Sequence, residues 1–422
     1  MASSKKPSTV YVFLLLCIPL VALLAILLAQ PQPRMDWDND FLPFAKAYMN
    51  WNSSNTIDST ATSSSSTNSA QIFSGLTVVI TGATSGIGMA LAQFFVAKGA
   101  AVVAIGRSRS KLDRLSTEIA SNDDERRRII PIVMEMSDLD SVAAGAEKIK
   151  QQFKSIDILV CNAGIHYAKS INIFAKGPET KRGLDVSFTV NYLSHFLLTE
   201  KLLPLLMASP KPVLLHMSSS YHWGANGLDL KSPDGIAPPP AARPGGGGAV
   251  GVLERDARAY SNSKLAQLLH ARAVQAVAAT SEQHHIRTVS VCPGWVSTQI
   301  GGDAGSVGHT ILQLLAFPLR DNGWGLASTL RAIFDDDNVK EDFYINSALS
   351  EAPHLFPRQF RSNWVADTGL RSLLAVSFAN VLLLMQKFFY TARPARSSVE
   401  SYDMDLAMNL YNWSKEEIKE YL

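Results

Sequence analysis

Beyond Gly75 the chain alternates short, unbroken apolar runs with longer stretches of helical composition. The runs Leu76–Ile80, Ala101–Ile105, Ile129–Met134, Ile156–Val160, Pro212–Met217 and Ile286–Val291 are strand-length and rich in branched residues. Phe343–Ile345 is a candidate seventh strand. A helix is expected from about Gly88 to Lys98, between the first two strands. Strands with no polar alternation are buried on both faces, which predicts a parallel sheet with helices on either side. Right-handed crossovers then make an α/β, doubly wound arrangement over about 72–350 as one domain.

The ends of the chain read differently. Val10–Ala29 is a 20-residue run without charge, long enough to span about 30 Å of hydrocarbon. It ends in Gln-Pro-Gln-Pro rather than at a small-residue cleavage site, so residues 1–30 are expected to be an uncleaved single-pass membrane anchor. Lys5 and Lys6 ahead of it favour a cytosolic N-terminus and a lumenal globular part, with the endoplasmic reticulum as the expected membrane. Residues 31–71 hold a Ser/Thr/Asn-rich stretch that cannot bury a core, and they are expected to be a disordered spacer. The sequons Asn52-Ser53-Ser54 and Asn412-Trp413-Ser414 matter only if they face the lumen. Lys231 to Arg255, with Pro238–Pro240 and Gly245–Gly248, is expected to be a flexible surface loop. Residues 351–422 form a C-terminal extension with a hydrophobic segment at 372–390, whose uncharged part Ser372–Gln386 is short for a span. A helix lying in the membrane interface, or packed on the domain, suits it better.

Composition narrows the function classes. The 422 residues carry a formal net charge of +2, which offers no electrostatic footprint for nucleic acid. The three cysteines, Cys17, Cys161 and Cys292, make neither a disulfide framework nor a metal-ligand spacing, so no metal is expected.

Two motifs carry the chemistry. Thr81-Gly82-Ala83-Thr84-Ser85-Gly86-Ile87-Gly88 follows the first strand and opens a helix. Glycines there let the backbone approach a pyrophosphate, and the helix N-terminus offers free N–H groups, as in Rossmann-type dinucleotide sites. At the end of the second strand, where a carboxylate would bond the ribose of NAD, the chain has Gly106-Arg107-Ser108-Arg109. Without that acid, and with Arg107 able to pair a 2′-phosphate, the expected cofactor is NADP(H); Arg109 can share or take the role.

The second motif is Tyr260-Ser261-Asn262-Ser263-Lys264. On a helix Tyr260 and Lys264 share a face, with Cβ atoms roughly 5–6 Å apart. A cation that close is expected to lower the phenol by about 2 pKa units from about 10, toward a working general acid.

Joined to Cys161-Asn162-Ala163-Gly164 at the end of the fourth strand, these motifs resemble the short-chain dehydrogenase/reductase family over roughly residues 75–350. Val190-Asn191-Tyr192-Leu193-Ser194-His195-Phe196-Leu197-Leu198-Thr199, Ser263-Lys264-Leu265-Ala266 and Tyr411-Asn412-Trp413-Ser414 are similar to its retinol-dehydrogenase-like branch. The resemblance implies that Tyr260 donates a proton to a carbonyl oxygen. It implies that Lys264 lowers the tyrosine pKa and holds the ribose hydroxyls. Ser218, Ser219 and Ser220 compete for the serine that bonds the substrate oxygen; alignment of His216-Met217-Ser218-Ser219 on the family pattern selects Ser219. Asn191 matches the asparagine that positions a relay water, and its competing reading is a satisfied polar helix residue. Gly82, Thr84, Ser85, Gly86, Ile87 and Gly88 would hold the pyrophosphate, and Asn162, Ala163 and Gly164 would lie beside the adenosine ribose. Pro293, Gly294, Val296 and Thr298 would flank the nicotinamide. Glu135 stands where the family usually has an aspartate near adenine.

After Thr298, apolar residues from Val307 to Leu319 suit a helix that either covers the substrate pocket or belongs to the core. A lid beside an anchor points to a lipophilic carbonyl or alcohol (retinoid, steroid or fatty aldehyde), with membrane lipid as neighbour and a possible homodimer. The competing readings are a nucleotide-binding scaffold without turnover and a reductase of a cyclic pigment or C=C bond.

Overall fold

The computed structural model describes residues 71–165, 180, 183–219, 221–222, 225, 228, 230, 249–279, 286–293, 322–335, 343–346, 392–395 and 397–422. The anchor run 10–29, the spacer up to residue 70, the apolar residues 307–319 and the segment 372–390 lie outside them, as do Ser220, Gly294, Val296 and Thr298. Among the described residues no helix is long and apolar enough to cross a membrane.

All seven expected strands form, with ends moved by one or two residues. They are β1 (Thr77–Thr81), β2 (Ala101–Gly106), β3 (Ile129–Val133), β4 (Ile158–Cys161), β5 (Val213–Met217), β6 (Arg287–Cys292) and β7 (Phe343–Asn346). An eighth strand, β8 (Ala392–Ala395), was not expected. The sheet order is β3-β2-β1-β4-β5-β6-β7-β8. Every pairing is parallel except β7 with β8, which is antiparallel. β1 pairs with both β2 and β4, so the order reverses there. Ligands of such sheets bind in the crevice beyond the strand ends at that reversal, where Thr81 and Cys161 lie.

Alternate strand residues face opposite layers. Val78, Ile80, Val102, Ala104, Val160 and Val291 pack on one side against α1 (Gly86–Ala97), α2 (Arg109–Ile119) and α7 (Asn322–Phe334). Between α2 and β3 runs the short α3 (Asp123–Arg127). Val79, Val103, Leu159 and Leu214 pack on the other side against α4 (Leu139–Gln152), α5 (Val186–Phe188 continued through Ser194–Met207) and α6 (Ala249–Ala279). This two-sided burial is why the strands carry no polar alternation.

The α5 helix runs from Val186–Phe188 through a π-helical turn, Thr189–Leu193, into Ser194–Met207. The expected loop from Lys231 to Arg255 is corrected at its far end. The glycines stop at Gly248, and the helix-forming residues that follow extend α6 back to Ala249.

The C-terminal region completes this body. After β8 and a 3₁₀ turn (Val399–Tyr402), α8 (Met404–Glu417) packs on α6. Ser414 Oγ and the Tyr192 hydroxyl are 2.6 Å apart, and the Tyr411 hydroxyl donates to Glu200 Oε1 at 2.8 Å. Lys415 Nζ lies 3.3 Å from Glu200 Oε2.

A group of buried imidazoles sits between β5 and the helices. The His216 and His270 ring centroids are 4.9 Å apart, and His270 lies 4.8 Å from the Phe196 ring. Neither ring has a hydrogen-bond partner among the described residues. Burial holds His216 well below the usual imidazole pKa and His270 down to about 3. The unfolded chain binds these protons near pH 6.5 and the folded chain does not, so stability is full above about 6.5 and lost as pH falls from there toward 3. Urea midpoints should therefore drop between pH 7 and pH 5. His270→Leu should flatten the drop; an unchanged slope in that variant would refute the assignment.

Candidate active site

The glycine turn is shaped by close approaches. Gly82 has φ +67° and Gly86 φ +56°, the left-handed region that glycine enters without strain. A Cβ on Gly88 would stand 2.4 Å from the Gly82 carbonyl oxygen and 2.5 Å from Asn162 Nδ2. Ser85 is the N-cap of α1 but makes no side-chain cap bond, and the first turn of α1 holds no acid. The helix therefore presents open N–H groups to the crevice, beside Thr84 and ahead of the buried Ile87. This cradle fits a dinucleotide pyrophosphate.

Asn162 and Ala163 are locked to β1. Their backbone N–H groups donate to Thr81 Oγ1 at 2.9 and 2.8 Å, and Asn162 Nδ2 donates to the Thr81 carbonyl at 2.8 Å. Gly164 reaches the catalytic side, where a Cβ would lie 3.5 Å from Lys264 Nζ and 3.4 Å from Asn191 Oδ1. Pro293 follows β6 directly.

At the end of β2, Arg107 is exposed and makes no hydrogen bond or ion pair among the described residues. Arg109 is paired with Asp113 at 2.9 Å. Of the two arginines left open by the sequence, Arg107 is the one whose guanidinium is uncommitted. Glu135 Oε1 accepts from the backbone and hydroxyl of Ser137 at 3.1 and 2.9 Å, so its carboxylate serves its own turn.

Tyr260 and Lys264 lie on α6 and are 6% and 2% exposed. Lys264 Nζ stands 5.4 Å from the Tyr260 ring centroid, and it donates to the Met217 carbonyl at 2.8 Å and to Gln267 Oε1 at 3.3 Å. The Ser219 hydroxyl neighbours the Tyr260 phenol and acts to lower its pKa. Ser218, its rival, instead donates to the Lys264 carbonyl at 2.9 Å. The Tyr221 ring meets Tyr260 edge-on at 5.5 Å.

The expected acidic phenol is corrected for the chain without cofactor. Burial raises the Tyr260 phenol above its ordinary value, and the Ser219 hydroxyl opposes this only in part. Burial also lowers the Lys264 ammonium to about 7. Spacing in the sequence gives the Coulomb attraction but not the loss of water, which penalises both charges. A lysine only partly protonated near pH 7 is a weaker cation than that arithmetic assumed.

Asn191, a poor α-helix former, sits in the π-helical turn, a geometry frequent at functional sites. Its Oδ1 accepts from the Ile165 N–H at 2.8 Å, and its Nδ2 donates to the Ile165 carbonyl and to Ser263 Oγ, both at 2.9 Å. The side chain is thus fully satisfied within the protein. Its backbone carbonyl accepts from Gln267 Nε2 at 2.7 Å and from His195 Nδ1 at 3.0 Å. A carbonyl cannot donate, so His195 carries its proton on Nδ1, and its Nε2 accepts from the Thr81 hydroxyl at 2.9 Å.

Thr81, His195 and Gln267 therefore join the glycine turn to Lys264 through one buried chain of hydrogen bonds. Sequence reasoning gave none of them a role. The polar residues His195 and Gln267, set among apolar helix positions, were the available signal.

Residues 76–226 match the model of the short chain dehydrogenase family. Mouse Retinol dehydrogenase 14 is 29% identical over 58% of this chain and 66% of its own length. Oxidoreductase calI of Penicillium decumbens is 32% identical over 46% of this chain and 51% of its own. The match thus spans about half to two thirds of the length of these relatives. An uncharacterized protein of known structure from Mycobacterium Paratuberculosis shares the fold, with TM-score 0.53 and 23% identity over 82% of this chain and 94% of that one.

Gly88→Ala should abolish dinucleotide binding, because the new methyl meets backbone and not a flexible side chain. Calorimetric titration checks it, with thermal unfolding as control; a folded variant of unchanged affinity would contradict the cradle.

Proposed function

The chain belongs to the short-chain dehydrogenase/reductase family, in its retinol-dehydrogenase-like branch, and from that premise we propose that it is a membrane-anchored NADP(H)-dependent oxidoreductase of lipophilic carbonyls and alcohols. One observation carries the reading: the buried Tyr260 phenol has the Ser219 hydroxyl as a pKa-lowering neighbour and the Lys264 amine 5.4 Å from its ring. When bound, the cofactor supplies the hydride and, once oxidised, a positive charge.

Tyr260 gives its phenolic proton to the substrate oxygen as the carbonyl carbon becomes a carbinol, and the reverse holds for alcohol oxidation. Ser219 donates to that oxygen and keeps it beside the phenol. Lys264 stabilises the phenolate left behind, and Asn191, through Ser263 and the Ile165 backbone, holds the wall beneath. Gly82, Thr84, Ser85, Gly86, Ile87 and Gly88 hold the pyrophosphate, and Asn162, Ala163 and Gly164 border the ribose. Pro293, Gly294, Val296 and Thr298 border the nicotinamide.

NADP(H) is favoured by the uncommitted Arg107 and the lack of an acid at the end of β2. The lipophilic substrate class is favoured by the apolar residues from Val307 to Leu319 and by the name of the mouse relative. Anchoring in the endoplasmic reticulum through residues 1–30, with 31–71 as spacer and 72–350 as the catalytic domain, rests on the uncharged run Val10–Ala29.

Tyr260→Phe should bind NADPH like the parent and lose turnover by about 100-fold or more on retinals, ketosteroids or long-chain aldehydes. Unchanged turnover would refute the assignment of Tyr260 as the acid. Arg107→Ala should weaken NADPH well beyond NADH, and equal weakening would remove the 2′-phosphate contact.

A further inference from the structure

We propose that His222 is a positioning residue that ties the C-terminal segment to Ser219. The placement of the serine hydroxyl then depends on residues 397–402. The inference rests on the role given to Ser219 above.

Beyond Met217 the chain leaves the strand ladder, and Ser219 is fixed by its own turn. The Ser219 carbonyl accepts from the His222 N–H at 3.1 Å and from His222 Nδ1 at 2.6 Å. That carbonyl has no proton to give, so Nδ1 carries one and Nε2 is the bare acceptor. Nε2 faces the Ser398 N–H, which donates to it at 3.1 Å. The ring is fully buried, and among the described residues each nitrogen has a fitting partner, an arrangement that suits the neutral tautomer protonated on Nδ1. One side of the imidazole holds the serine turn and the other holds the C-terminal segment.

That segment is itself anchored. Arg272 donates to the Ser401 carbonyl, to Ser401 Oγ at 3.0 Å and to Ser397 Oγ at 3.1 Å, and its guanidinium lies 3.7 Å from the centre of the Tyr402 ring. The Ser397 and Ser401 hydroxyls are 2.6 Å apart. Arg272 sits two turns beyond Lys264 on α6, the helix that presents Tyr260. The links close into a ring: Tyr260, α6, Arg272, the 397–402 turn, His222, Ser219 and back to Tyr260. Serine and tyrosine are held in register by the C-terminal segment, although it lies about 180 residues after the serine.

Ser398→Pro isolates the link. Ser398 has φ −64°, proline's own value, and its hydroxyl has no partner among the described residues. The substitution removes the Ser398 N–H that His222 Nε2 accepts. In the full-length chain, with NADPH and the aldehyde screened above, kcat should fall at least tenfold while the NADPH Kd stays within twofold. His222→Asn keeps a donor near the Nδ1 position but cannot reach Ser398, and should show the same split. The double variant should be no slower than the slower single, because both changes cut one link. In the cofactor-free protein, the imidazole ¹⁵N shifts of His222 should report protonated Nδ1 and accepting Nε2, with the Nε2 shift moving in Ser398→Pro.

Either single variant that keeps the parent Tm is sufficient for the reading. A kcat within twofold of the parent, or losses that multiply in the double variant, would overturn the link. Loss of turnover in Tyr260→Phe with none in Ser398→Pro or His222→Asn defeats this inference alone. Retained turnover in Tyr260→Phe defeats the assignment of the acid.

Discussion

A lysine amine with almost no exposed surface needs acceptors around it, and much of the architecture beneath the crevice answers to that need. Lys264 finds the Met217 carbonyl at the end of β5 and the Gln267 amide one turn further along α6. Gln267 spends its other end on the Asn191 carbonyl, which also takes the proton of His195. His195 in turn accepts from Thr81, whose oxygen fixes the backbone of Asn162 and Ala163. An unpaired polar group in this interior would cost on the order of 1–3 kcal/mol, so the chain of bonds is close to all-or-none. The π-helical turn at Thr189–Leu193 belongs to the same arrangement, since it carries Asn191, whose carbonyl takes both side-chain donors.

The same burial sets the chemistry. With water excluded, the phenol of Tyr260 is raised and the ammonium of Lys264 lowered. Their proton affinities move apart, so burial favours the neutral form of both groups over a fixed cation beside an acid. An additional positive charge arriving in the crevice acts through a low effective dielectric, where it weighs far more than in water. In this account the site becomes a proton donor and acceptor pair only as the cofactor changes charge. Unproductive ionisation is disfavoured while the crevice holds none.

Much of the fold was legible because two-sided strands and glycine punctuation are local properties. Leu76–Ile80 and its successors needed no tertiary information, and Tyr260 with Lys264 announced itself by helical spacing. β8 was not legible: Ala392–Ala395 reads Ala-Arg-Pro-Ala, with no apolar run, and proline is tolerated there because the strand is at the sheet edge. The start of α6 was hidden by the glycines before it. Thr81, His195, Gln267 and His222 were missed for one physical reason: each acts by pairing with residues far away in sequence, and partners at that distance leave no periodicity. Burial was missed likewise, and with it the direction of the Tyr260 shift. The choice of Ser219 over Ser218 came from the family pattern; the structure adds that Ser218 is committed to the Lys264 carbonyl.

The most direct measurement is an ultraviolet difference titration of tyrosinate in the parent protein and in Tyr260→Phe, with and without NADP⁺. The difference between the two proteins isolates the single phenol. The account predicts that this phenol titrates above the ordinary tyrosine range in the free protein and drops by units toward neutral pH when the oxidised cofactor is bound. A phenol that titrates at the same pH in both states would contradict it.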